Sequence, residues 1–301
     1  MDNAIELKDV TIERGLFKMG PINLNIPKGY ITAIVGPNGS GKTSIFRSIL
    51  KQTNITSGEI NVLNERIDDA ENKEISQRIG YLMENQSFFD DGLVAHEKAD
   101  FHRRWYNNWN EHIYKNCLHK FGISDNIRFK NMSKGMRRKY DFTVALSHEP
   151  ELLILDEPSS GLDPIAWRSM IEVLNAYMDQ GERTILMATH IIDEVKRLAD
   201  FIVFMVDGKL LGMYEKDELL QNWATYYVEV NPHTQAVIAT LPGLLSQKNI
   251  GSDRIEFTTS EAVNADALLK DSNITILNRQ VLELDEILLY HMNKTTNKIF
   301  G

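Results

Sequence analysis

The segment Gly36-Pro37-Asn38-Gly39-Ser40-Gly41-Lys42-Thr43 constrains this chain more than any other. It fits G-x-x-x-x-G-K-[ST], the P-loop pattern. Before it stands an apolar run, Ile31-Thr32-Ala33-Ile34-Val35, that reads as a buried strand. After it, Ser44 to Leu50 carries apolar residues at helical spacing. A strand, a glycine loop and a helix N-terminus together turn backbone N–H groups and the helix dipole toward phosphate. Gly36 to Thr43 are therefore candidate nucleotide-binding residues. Lys42 is expected to reach the β- and γ-phosphates, and the Thr43 hydroxyl to ligate Mg²⁺.

A second pattern narrows the chemistry. Leu152-Leu153-Ile154-Leu155 is apolar throughout, as a central parallel strand covered on both faces must be. It ends in Asp156-Glu157. Two adjacent carboxylates are costly at the C-terminal end of such a strand, which is also the edge that holds the ligand crevice. Asp156 is the candidate metal ligand. Glu157 is the candidate that orients or deprotonates an attacking water.

With these two elements in place, the chain resembles the ATP-binding cassette (ABC) ATPases over about residues 4–215. Three more elements of that family follow in order. Met132-Ser133-Lys134-Gly135-Met136 stands where the LSGGQ signature belongs, Ser160-Gly161-Leu162-Asp163 is similar to the D-loop, and His190 follows the apolar run Thr184 to Ala188 as the switch histidine does. Ile79-Gly80-Tyr81-Leu82-Met83-Glu84 is similar to the Q-loop, with Glu84 where glutamine is usual. The resemblance implies ATP and Mg²⁺ as ligands, with Thr43, Glu84 and Asp156 around the metal and Glu157 and His190 as catalytic residues. It also implies a head-to-tail pair of ATPase subunits, either two copies or one copy and a paralogue. In that pair Ser133 and Gly135 of one chain face the γ-phosphate held by the other. Arg137, Arg138 and Lys139 read as a solvated basic helix face, with added positive field at that phosphate as the alternative.

The resemblance implies a fold as well. An α/β P-loop NTPase cassette is expected at residues 1–220, with a RecA-like parallel-sheet core, an antiparallel β edge subdomain and a helical subdomain at about 90–135. A small C-terminal α+β domain at 221–301 follows. In it Thr225–Val230, Arg254–Thr258 and Ile274–Leu277 read as strands, and Gln235–Leu245, Asn264–Leu269 and Leu284–Met292 as helices. Its last helix is similar to the closing segment of the ABC-2-type exporter branch. Trp105-Tyr106-Asn107-Asn108-Trp109-Asn110, followed by the Ser-Lys-Gly-Met form of the signature, resembles the Gram-positive exporters of antimicrobial or cytolytic peptides. Bacitracin-resistance and phenol-soluble modulin exporters are examples. Such a subunit drives a separate transmembrane permease from the cytoplasmic, inner face of the membrane. Phe88 and Phe89 are the candidates for the permease groove, ahead of Trp105 and Trp109, while Tyr106 reads as core. Arg14 stands near the place of the family's adenine-stacking aromatic, with Phe17 as the alternative.

Composition bounds the rest. With 43% hydrophobic and 25% charged residues, the 301-residue chain is an ordinary globular one. Its net charge of −9 argues against general nucleic-acid binding. No apolar run approaches the ~20 residues that span a bilayer, and the N-terminus does not read as a signal peptide. The single Cys117 suits a reducing compartment. A soluble ABC ATPase acting on ribosomes or DNA is the alternative class. The second cassette, charged linker, coiled coil or zinc hook of such proteins is not present in the sequence.

Overall fold

A computed structural model describes residues 2–15, 17–67, 73–84 and 91–296. The chain divides into two compact units, Met1–Met213 and Tyr214–Gly301.

The first unit opens with β1 (Asn3–Arg14) and β2 (Phe17–Pro27), a long antiparallel pair. The chain then dives into β3 (Ile31–Val35), buried at every position, and turns through the P-loop into α1 (Lys42–Ile49). β4 (Ser57–Val62) and β5 (Glu65–Arg66) complete a sheet of order β2-β1-β4-β5. This is the expected antiparallel edge. Alternate residues of β1, such as Ile5, Leu7, Val10 and Ile12, are buried. They share one hydrophobic core with Ile45, Phe46 and Ile49 of α1 and with Ile34 and Ile154 of the parallel strands. The antiparallel sheet thus holds α1, and through it the P-loop, against the parallel sheet.

Next come α2 (Lys73–Gln77), β6 (Ile79–Leu82), α3 (Ala95–Trp105), α4 (Glu111–Phe121) and α5 (Lys134–Leu146). The helices α3 and α4 lie within the 90–135 region read as helical, and α5 begins at its end. α4 is capped by the Asn110 side chain, which accepts from the His112 and Ile113 N–H groups, and ends on Gly122 at φ 63°. β7 (Leu152–Asp156), α6 (Pro164–Met178), β8 (Thr184–Thr189), α7 (Ile192–Leu198), β9 (Phe201–Val206) and β10 (Lys209–Glu215) follow. The second sheet has the order β10-β9-β3-β8-β7-β6, and its neighbours β9-β3-β8-β7-β6 pair in parallel. Asp163 caps α6 through the Ile165 and Ala166 N–H groups with Pro164 in the first turn, a pairing that favours a helix start. Asp207 and Gly208, at φ 46° and 72°, make the β9–β10 turn, where both central residues take the left-handed region.

The second unit carries α8 (Lys216–Asn222), β11 (Ala224–Glu229), α9 (Pro232–Ile238), β12 (Leu244–Ile250), β13 (Arg254–Thr259), α10 (Ala262–Asp271), β14 (Ile276–Val281) and α11 (Leu284–Thr296). Its antiparallel sheet runs β12-β13-β11-β14. Tyr226, Val228, Ile255 and Phe257 of the central strands pack with Ile238 of α9 and Ala265 and Leu269 of α10. Two sequence expectations fail here. The helix read over Gln235–Leu245 stops at Ile238, and Leu244 onward is a strand. The strand read at Ile274–Leu277 lies instead at Ile276–Val281, with every residue exposed. Pro242 has no N–H for a helix and Gly243 takes φ 63°, so the chain turns there.

Candidate functional site

Four neighbouring strands of the parallel sheet, β3, β8, β7 and β6, release their polar residues at one edge. The P-loop follows β3, His190 follows β8, Asp156 and Glu157 end β7, and Glu84 lies just past β6. The strands before these residues are apolar and buried, so the edge is the one place on the sheet where the backbone can present side chains together.

The P-loop is shaped by close approach. A Cβ on Gly36 would stand 1.9 Å from the Met205 carbonyl oxygen of β9, and Gly41, the α1 N-cap, takes φ 111°. Neither position accepts another residue without distorting the loop. Lys42 is buried, and its Nζ donates to the Gly36 and Pro37 carbonyls at 2.7 and 3.1 Å. Burial lowers its pKa, while Glu157, Asp156 and Glu84 oppose that shift. The ammonium is held by the loop's own carbonyls, with the carboxylates close enough to favour its charge.

The Thr43 hydroxyl donates to Asp156 Oδ2 at 3.0 Å. Burial raises the Asp156 carboxyl to about 6, the charges of Glu84 and Glu157 push the same way, and Thr43 and Arg138 oppose it. Thr43, Asp156 and Glu84 line one cleft of about 300 Å³ with Arg14, Arg47, Gln52, Thr53, Tyr81 and Met83. A hydroxyl and two carboxylates form a set of hard oxygen donors, which fits Mg²⁺. Arg14, one of the two candidates for the adenine, borders this cleft. Phe17, the other, packs half-buried against the core under the antiparallel sheet.

Glu157 meets His190: Oε2 lies 2.8 Å from Nδ1, with the Glu157 side chain 10% exposed and the imidazole 50%. Glu157 is a non-glycine residue at φ 48°, and its N–H donates to the Ala188 carbonyl of β8 at 2.9 Å. The sheet therefore fixes the backbone from which the carboxylate projects.

Ser133 caps α5, its Oγ accepting from the Met136 N–H at 3.2 Å. A Cβ on Gly135 would come within 3.0 Å of the Gly161 carbonyl, so the start of α5 lies against the Ser160–Asp163 loop. The contacts of these two signature residues run within that corner, not to the P-loop.

The basic run after the signature corrects the sequence reading. Arg137 is 8% exposed and pairs with Asp91, and Arg138 is 1% exposed. Neither belongs to a solvated face. Arg138 stands four residues before Phe142 and seven before Ala145, all buried on α5. That helical spacing was the available signal, outweighed by the charge of the run. Tyr106, read as core, is half-buried and stacks on the buried His148 with ring centroids 3.8 Å apart. Trp109 is half-buried beneath Arg103, while Trp105 is exposed at the end of α3. Phe88 and Phe89 lie outside the described residues. Among the described residues, no helix is long and apolar enough to cross a membrane.

Several known proteins are similar to this chain. The protein-family model described as ABC transporter matches residues 19–160. The lantibiotic transport ATP-binding protein SrtF of Streptococcus pyogenes is 34% identical over 65% of this chain and 83% of its own length. The bacitracin transport ATP-binding protein BcrA of Bacillus licheniformis is 30% identical over 79% of this chain and 78% of its own. Among solved structures, an ATP-binding subunit of an ABC transporter superposes with a TM-score of 0.65 at 24% identity, covering 72% of this chain and 92% of that one. The dimeric cassette MJ0796 superposes at 0.62 and 22%, covering 70% and 98%. These two likenesses establish the cassette fold.

Proposed function

Because the chain belongs to the ATP-binding subunits of ABC transporters, we propose that its strand-edge site hydrolyses Mg-ATP to drive a separate transmembrane exporter permease. Its cargo is a peptide antimicrobial or a similar toxic compound. The carrying observation is the pair of contacts at neighbouring strand ends, Thr43 with Asp156 and Glu157 with His190, both beside the P-loop.

The P-loop N–H groups and the Lys42 ammonium bind the phosphates and balance their charge. Bound Mg²⁺, held by Thr43, Asp156 and Glu84, would supply further charge neutralisation at the phosphate oxygens. Glu157 accepts the proton of the attacking water at its carboxylate. His190 Nδ1–H donates to Glu157 Oε2, which fixes the carboxylate and leaves Nε2 as the histidine's second hydrogen-bonding atom. Ser133 and Gly135 act on the ATP of a second subunit, a copy of this chain or a paralogue. Their contacts at the corner of α5 and the Ser160–Asp163 loop support that reading. Closure on ATP and opening after hydrolysis then become the stroke delivered to the permease. The subunit sits at the inner face of the cell membrane through that partner.

Affinity purification of the tagged protein from its native membranes in mild detergent tests the transporter assignment. The expected result is a stoichiometric polytopic membrane protein. Recovery of ribosomal proteins or of no partner would overturn it. Phosphate release by the Glu157→Gln variant tests the chemistry: ATP binding persists and turnover nearly stops. Unchanged turnover would remove Glu157 from the mechanism.

A further inference from the structure

Arg138 is among the largest fully buried side chains of the protein, and the hydrolytic scheme above makes no use of it. Its guanidinium is spent on main-chain oxygens. Nη1 donates to the Met83 carbonyl, Nη2 to the Asp156 carbonyl and, at 2.6 Å, to the Glu157 carbonyl, and Nε to the Pro158 carbonyl at 3.2 Å. These oxygens belong to two segments. One leaves β6 immediately before Glu84, and the other leaves β7 through Asp156 and Glu157. Both lie where the sheet hydrogen bonding ends, so their carbonyls need another donor. A planar fork with five N–H groups can satisfy several at once, which a lysine ammonium cannot do in the same geometry.

The contact with Glu157 matters most. That residue holds a left-handed backbone conformation, which costs a non-glycine residue energy unless its surroundings enforce it. Three hydrogen bonds hold it: its N–H donates to the Ala188 carbonyl on β8, and its C=O accepts from Arg138 on α5 and, at 3.0 Å, from the Ser160 N–H of the turn that follows. Remove Arg138, and the Glu157 carbonyl keeps only the local Ser160 bond, with no tie to α5.

We propose that Arg138 is a positioning residue for ATP hydrolysis: by clamping the main chain at Met83 and at Asp156–Pro158, its guanidinium sets the place of the Glu157 carboxylate and of the Glu84 that follows Met83. The same clamp ties the signature helix α5 to the base, so a shift of that helix moves Glu157. This inference rests on the hydrolytic role given to Glu157 above.

The test uses the full chain with Arg138→Met and Arg138→Lys, alone and combined with Glu157→Gln. Arg138→Met lowers kcat about 100-fold, the cost of a small misplacement of a catalytic group, and leaves the KM for ATP within about threefold. In the Glu157→Gln background the same substitution lowers the residual rate less than about threefold, because both changes act on one step. A full, multiplied loss in that background, or a rise in KM with kcat unchanged, overturns the proposal. Arg138→Lys lies between Arg138→Met and wild type, and it carries the same cycle if the methionine variant does not fold. Amide hydrogen exchange is read in parallel. Faster exchange over residues 157–160 in either variant supports the clamp, and unchanged exchange there overturns it. A wild-type chain without turnover would fail the functional reading instead, and the exchange result would then decide the clamp alone.

Discussion

In the sheet β10-β9-β3-β8-β7-β6, the inner strands β3, β8 and β7 are buried along their length and release charged side chains only at their C-terminal ends. In the antiparallel sheet β12-β13-β11-β14, polar side chains run along the strands and satisfy one another. Thr225 bonds Thr258, Lys248 pairs with Glu256, and Tyr226, Asp266 and Arg279 form a closed group. The first sheet concentrates groups with spare bonding capacity at one edge. The second spends its polar groups on its own stability. Chemistry belongs with the first pattern, and substitutions in the two sheets are expected to separate accordingly, into loss of turnover and loss of stability.

The largest separation is expected at Lys42. Lys42→Met removes the one buried cation of the P-loop, whose burial outweighs the pull of Glu157, Asp156 and Glu84. The value of kcat/KM for ATP should fall about 1000-fold, at the upper end of losses for a single charge-stabilising donor. The melting temperature in the absence of nucleotide should hold or rise, since a desolvated charge is removed. Steady-state phosphate release and thermal denaturation check both halves. Retained turnover would end the assignment of this edge as the site.

His190→Ala comes next. The imidazole is half exposed and bonds Glu157 only at the carboxylate, while the Glu157 backbone is held by Ala188. The loss should therefore fall on kcat, about 100-fold, as for a group that assists proton transfer, with ATP binding intact. An equilibrium binding titration beside the rate measurement decides it. A matching loss of affinity would make His190 a binding residue rather than a partner of the base.

Much of this edge was legible in the sequence, for a physical reason. An apolar strand ending in Asp156-Glu157, or one breaking into Gly36 to Thr43, costs stability unless the ligand needs it, so the pattern carries its function openly. Arg138 was not legible in the same way. Charge in Arg137-Arg138-Lys139 spoke for solvent, and only the apolar residues four and seven positions on placed Arg138 inside. In the second unit the helical spacing of Val237, Ile238, Leu241 and Leu244 hid the Pro242-Gly243 turn. The edge strand β14, with Asn278, Arg279 and Gln280 in succession, has no alternation to read. Where both faces are apolar or one demanding ligand sets the pattern, sequence suffices. Where a polar group is buried by contacts distant in sequence, it does not.

Within the first unit, His148 sharpens the comparison, because it is a buried ionisable group outside the proposed catalytic edge. Burial lowers its pKa to about 4, and the ring packs on Tyr106 with Nε2 3.1 Å from the Ile79 carbonyl. The unfolded chain titrates near 6.5, so between those values it binds more protons than the folded one. Stability is complete above about pH 6.5 and falls as pH drops toward 4, by on the order of 3 kcal/mol. Urea denaturation at pH 7.5 and pH 5 should show that fall in the wild type and a smaller one in His148→Gln. Equal falls would assign the acid sensitivity to other groups.

The smallest effect is expected at Tyr226, and it examines the second sheet directly. The phenol is buried on β11, donates to Asp266 Oδ1 at 2.7 Å and accepts from Arg279 Nε at 3.1 Å. Tyr226→Phe keeps the ring, which stacks on Phe257 at 5.0 Å, and removes only the hydroxyl. Asp266 and Arg279 remain 3.4 Å apart and can close on each other, so the loss is that of one hydrogen bond, about 1 kcal/mol. Amide exchange over β11 and β13 should quicken by that amount while phosphate release stays within twofold, roughly the scatter expected of a substitution away from the site. A tenfold loss of turnover from this one hydroxyl would break the division between the two sheets. It would place part of the control of the ATP site in the polar group of Tyr226, Asp266 and Arg279.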